Sequence, residues 1–103
     1  MELTEQARKE EVKQYAVITL EDIFFNLNEE NKILKNDFAK GTKYKDLSIG
    51  NSIVIKHEKH KIYARNSIEA KTKLYHNARG EIGYFSIIWN NSDVIVDTFY
   101  VLY

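Results

Sequence analysis

The chain reads as an α+β fold, with N-terminal helices packed on a four- to five-stranded antiparallel meander sheet. Three observations carry that expectation. From Val12 onward, apolar residues recur at three- and four-residue spacing, as one buried helical stripe requires. Beyond Gly41 and Gly50 the period drops to two, the spacing at which a strand returns a side chain to the same face. The strand-like runs follow one another across short polar turns, so neighbouring strands run antiparallel. Helices first and strands afterwards put a helical part, residues 4–40, on a sheet formed by residues 52–103. A chain of 103 residues suffices for one core and is too short for two, so one domain is expected.

Taken in order, Thr4 is positioned to cap a first helix, with Glu5 and Lys9 one turn apart to pair on its surface. Val12, Tyr15, Ala16, Thr19, Leu20, Ile23, Phe24 and Leu27 then form the apolar stripe, which fits one long helix to about Asn26. A competing reading makes "YAVITL" a short strand and lets Thr19 cap a new helix. After "NLNEEN", the segment "KILKNDFAKG" carries Ile33, Leu34 and Phe38 on a second helix that stops at Gly41. "SIVIKH" and "KIYAR" flank a polar turn and read as a hairpin. "SIEAKTKLYH" alternates, with Ile68, Ala70, Thr72 and Leu74 on one face and Glu69, Lys71, Lys73 and Tyr75 on the other. "NARG" turns the chain into "EIGYFSIIW", and "NNSD" turns it into "VIVDTFYVLY".

The last two strands are apolar on both faces. With Asn91 and Ser92 at the hairpin tip, Trp89 lies opposite Val94, Ile87 opposite Val96 and Phe85 opposite Thr98. Ile88 and Ile95, Tyr84 and Phe99, and Ile82 and Val101 share the other side. A helical layer covers one face, and the second needs a cover of its own: a helix wrapped around, a second copy, another protein or a small apolar ligand. Phe85, Ile87, Trp89, Val94, Val96 and Tyr100 are the candidate interface, through which a homodimer or a protein partner is expected to bind.

Composition narrows the classes of function. At 44% hydrophobic and 29% charged residues the chain is far from the disordered regime. It has no cysteine, which excludes disulfides, thiol nucleophiles and thiolate metal sites. "MELTEQARKEE" has acids where a secretion signal has a basic start and an apolar run, and no stretch reaches the about 20 apolar residues of a membrane span. A cytoplasmic protein without membrane contact is expected. Net charge is zero but unevenly spread: residues 1–30 hold eight acids and three bases, residues 31–79 twelve bases and four acids, and the last 24 residues three acids and no base.

In the basic middle, cations alternate with tyrosines. Lys56, Lys61, Tyr63, Arg65, Lys71, Lys73, Tyr75 and Arg79 are the types that a single-stranded nucleic acid or an acidic partner would meet on a sheet. No nucleic-acid-binding motif accompanies them, and lysines on a strand also block edge aggregation. His57, Glu58 and His60 in "KHEKH" lack the helical spacing of a zinc motif, so no metal site and no cofactor are expected. His76, beside Tyr75 and Arg79, is the one candidate acid or base for a metal-independent hydrolase, and nothing in the sequence pairs it with a partner. Asp97 interrupts an apolar strand near Ser86, either as a buried carboxylate at a site or as a wet residue at the sheet margin. With no nucleophile elbow, phosphate loop or ligand cluster, the chain reads as a non-enzymatic interaction protein, an adaptor or inhibitor. The alternatives are a nucleic-acid binder and a small-ligand or hydrolytic domain.

Overall fold

In the computed structural model, which describes residues 3–26, 28–58 and 66–103, Thr4 opens the first helix. Its hydroxyl accepts the Ala7 N–H at 3.0 Å, satisfying one donor that a helix start leaves unpaired. Helix α1 then runs unbroken over Glu5–Phe25, with Glu5 and Lys9 paired at 3.6 Å on its surface. The strand alternative for "YAVITL" is therefore excluded. Val17, Ile18 and Thr19 weaken helix propensity only slightly, and burial of Val12, Ala16, Leu20 and Ile23 on the sheet outweighs that.

Helix α2, Glu29–Lys35, is shorter than expected. The Asn28 side chain caps it by accepting the Asn31 N–H at 2.8 Å. Asn31 is buried and turns its own amide back to the Asp22 and Asn26 carbonyls, so one side chain closes the end of α1 from within α2. Phe38 lies past the end of α2 and still reaches the core, edge-on to Phe24 at 5.2 Å. Of the apolar residues expected on this helix, Ile33 is exposed and Leu34 faces inward. Gly41 takes a positive φ of 85° in the turn that follows.

Four strands follow: β1 Leu47–His57, β2 Ser67–His76, β3 Gly80–Trp89 and β4 Ile95–Leu102. They pair antiparallel in sequence order, the expected meander. β1 begins at Leu47, before the expected start at residue 52. "SIVIKH" pairs with the start of "SIEAKTKLYH", His57 opposite Ser67; its expected hairpin partner is "KIYAR". That expected strand lies outside the described residues, together with Lys61, Tyr63, Arg65, His60 and Leu27.

The β3–β4 register is offset by two from the expected one over most of its length. Phe85 lies opposite Tyr100 and Ile87 opposite Thr98, while Trp89 meets Ile95 across a bulge. The turn accounts for the offset. The Asn90 side-chain oxygen accepts the N–H groups of Ser92 and Val94, Asp93 adopts φ 58°, and the loop closes at Asn90–Val94, where the Asn90 N–H donates to the Val94 carbonyl. Because the side-chain period is two, an offset of two keeps side chains on their assigned faces along the regular ladder from Gly83 to Ile88, whereas the bulge sets Ile95, expected beside Ile88, opposite Trp89.

α1 crosses β1, β2 and β3 on one face. Beneath it Ala70, Leu74, Phe85, Ile87 and Trp89 meet Val12, Ala16, Leu20 and Ile23. Tyr15 packs edge-on to Phe85 at 5.8 Å, and the Arg8 guanidinium lies 4.9 Å from the centre of the Trp89 ring. Among the described residues both helices lie on this side, so the wrapped-around helix that could have covered the second face is absent.

Candidate interaction face

The second face is built from alternate positions of all four strands. Register places Ile53 beside Lys71, Lys71 beside Ser86, and Ser86 beside Phe99 in one row. A neighbouring row runs from Ile55 through Glu69 and Ile88 to Asp97. Ile53 is 49% exposed, while Tyr84, Phe99 and Val101 are half-buried. This is an open sheet face with large side chains on it.

At its centre sits a buried carboxylate. Glu69 is 5% exposed; the Ser86 hydroxyl donates to one of its oxygens at 2.7 Å, and His57 Nε2 bonds the other at 2.8 Å. Lys71 Nζ stands 3.9 Å from the first oxygen and 4.4 Å from the centre of the Tyr84 ring. Desolvating a carboxylate is costly, and these donors make the site tolerable. Ser86 is fully buried, so its hydroxyl meets no substrate. The cluster holds three strands together.

A second network closes the other end of the face. Lys73 Nζ lies 3.1 Å from Glu81, and the Tyr103 hydroxyl donates to Glu81 at 2.7 Å. The Tyr103 hydroxyl and then Lys73 hold the Glu81 carboxyl below the usual range, and Glu81 in turn raises Lys73 and Tyr103. Lys71 and Lys73 thus each stand within 4 Å of a carboxylate.

Of the expected cationic set, the fold brings together Lys71, Lys73 and Tyr75 on this face. Lys56, opposite Ile68, points to the helix side, and Arg79 stands in the exposed β2–β3 turn. Of the expected interface residues, Phe85, Ile87 and Trp89 are sealed in the core beneath α1, whereas Val94 and Val96 are exposed and Tyr100 is half-buried. Asp97 lies on β4 opposite Ile88, and the carboxylate that engages Ser86 is Glu69 instead.

His76 accepts the Ala78 N–H at 3.1 Å through Nδ1, an arrangement that shapes the β2–β3 turn. Among the described residues, no three His, Asp or Glu side chains converge as metal ligands would. Two clefts lie at opposite ends of the sheet. One of about 310 Å³ is lined by Asp37, Phe38, Arg79, Glu81 and Tyr103, and one of about 330 Å³ by Lys56, His57, Ser67, Asn91 and Asp93. No helix among the described residues is long and apolar enough to cross a membrane.

Sequence reasoning missed His57, Glu69 and Ser86 as a cluster. Alternation in "SIEAKTKLYH" assigns Glu69 to the right face, but its partners come from other strands and only the register reveals them. Comparison of the chain with family models, with curated proteins and with solved structures found no match.

Proposed function

We propose that the chain is a protein-binding module, an adaptor or inhibitor, that presents its uncovered sheet face to a macromolecular partner. One observation carries this reading: a sheet with one face under helices leaves the other open, with Ile53, Tyr84, Phe99 and Val101 on it. An exposed apolar patch with a polar rim is the usual form of an interaction surface. The paired charges of this face favour a protein over a polyanion. Lys71 and Lys73 face Glu69 and Glu81, so little uncompensated positive charge remains there for phosphates.

The test compares captures by the wild-type chain and by Ile53→Asp, which charges the open face far from the core. A protein retained by the wild type and lost by Ile53→Asp is the expected result. Identical captures would count against the reading. Binding of a labelled single-stranded oligonucleotide, with a log–log salt slope near −0.7 per contacted phosphate, would transfer the assignment to nucleic acid.

A further inference from the structure

The β4 edge has the makings of a pairing surface, and the geometry points to a second copy of this chain as its occupant. The two copies would join through an antiparallel, two-fold symmetric ladder between their β4 strands, centred on Phe99. The pairing shares Phe99 with the open face but leaves its Ile53 margin untouched, since β4 and Ile53 lie at opposite margins of the sheet, so the Ile53→Asp capture and the tests below fail independently.

β4 ends the strand order, and no described strand lies beyond it. Exposed edges are usually blunted by lysine, proline, a bulge or a covering element. Residues 94–103, "VIVDTFYVLY", hold one charged side chain, Asp97, and no lysine, arginine or proline. The bulge in β4 is confined to its start, and from Asp97 to Leu102 the ladder to β3 is regular. The opposite edge is protected: β1 has a break in register between Ile49 and Ser52 and bears Lys56. Val94, Ile95 and Val96 are exposed at the start of the β4 edge.

The backbone selects the register. Tyr103 N–H donates to the Ile82 carbonyl at 2.9 Å. Backbone groups alternate in direction along a strand, so Asp97, Phe99 and Val101 turn theirs to β3 while Thr98, Tyr100 and Leu102 turn theirs outward. A two-fold axis normal to the sheet sets one residue opposite its own copy. With Phe99 there, Thr98 of each copy meets Tyr100 of the other as a hydrogen-bonded pair. The two Phe99 side chains then form the closer, non-hydrogen-bonded pair on the open face. Centring on Thr98 instead brings the two Asp97 carboxylates to diagonal positions, about 7–8 Å apart. Centring on Phe99 sets them four positions apart along the ladder, about 14 Å. Charge therefore favours Phe99 over Thr98, and a centre nearer the end of β4 would shorten the ladder. Such a pairing uses the same patch on both copies and closes on itself, leaving two protected β1 edges outside an eight-stranded sheet.

Because the chain has no cysteine, a single introduced thiol reports the register. Phe99→Cys places two thiols across a pair whose Cα atoms stand about 4.5 Å apart, within disulfide reach. Val101→Cys places them about 14 Å apart. Sedimentation of the wild-type chain is expected to show a dimer at about 100 µM. Mild oxidation should link Phe99→Cys and leave Val101→Cys unlinked. Thr98→Pro removes an outward N–H while sparing the β3 ladder, and should weaken self-association at least about tenfold. Thr98→Val keeps that N–H and should still dimerise, with the same far-ultraviolet circular dichroism for both. A wild-type monomer at about 100 µM overturns the proposal, whether or not the edge then accepts a foreign strand. Equal cross-linking of both cysteine variants overturns it as well.

Discussion

Asp93 shows how much one side chain can carry. It occupies a left-handed φ of 58° in the β3–β4 turn, accepts the Leu3 N–H at 3.1 Å and pairs with the buried Arg8 guanidinium. Arg8 first, and the Leu3 amide second, hold its carboxyl below the usual range. A carboxyl depressed in the folded state contributes stability above its unfolded pKa, and that stability is lost as pH falls through the folded value. Asp93→Asn removes the titration while Asn still tolerates positive φ. The wild-type urea midpoint should therefore fall more steeply than that of Asp93→Asn below about pH 4, and the two curves should converge in strong acid. Parallel curves would refute the role assigned to the carboxylate. "NNSD" was legible as a turn, whereas the ion pair across 85 positions was not, because no local pattern encodes it. Glu69 teaches the same lesson: alternation fixes its face, but burial depends on Ser86, Ile88 and His57 from other strands.

Elements were more legible than their joints. The switch from helical to two-residue periodicity marks the boundary between α1, α2 and the sheet, because side-chain direction follows backbone period directly. Register was harder, since a bulge adds a residue without disturbing the alternation on either side of it. β3 has such an irregularity near Ile82, where the pairing to β2 shifts between Leu74 and Tyr75. Ile82, expected opposite Val101 on the open face, packs instead against the core cluster. Gly83 stands beside it, and a Cβ added there would sit 2.1 Å from the Val101 carbonyl oxygen. Backbone, rather than a flexible side chain, is in the way. Gly83→Ala should cost about 1–3 kcal/mol through displacement of β4, read as a lower urea midpoint at unchanged slope. A variant as stable as the wild type would mean that β4 moves freely at this point.

At the scale of the whole molecule, the fold class followed from the order of the elements, whereas the state of the second sheet face did not. Apolar residues on both sides of β3 and β4 asked for a second cover, and the chain instead roofs Ser86, Glu69 and Ile88 with the side chains of its own neighbouring strands. The helical layer is fastened to that sheet at a distant place, where Arg8 in the second turn of α1 meets Asp93 and Trp89. Closing so long a loop costs chain entropy before any contact repays it, whereas each strand pair in the meander closes a much shorter one. Time therefore enters the architecture. The hairpins can assemble from neighbouring segments, but the clasp between the first helix and the last turn must wait for them. An interaction made after the folding barrier governs how quickly the native state comes apart rather than how quickly it forms. The Arg8–Asp93 clasp is thus expected to act as a latch on lifetime: Asp93→Asn should speed unfolding and leave the folding rate nearly unchanged in stopped-flow measurements.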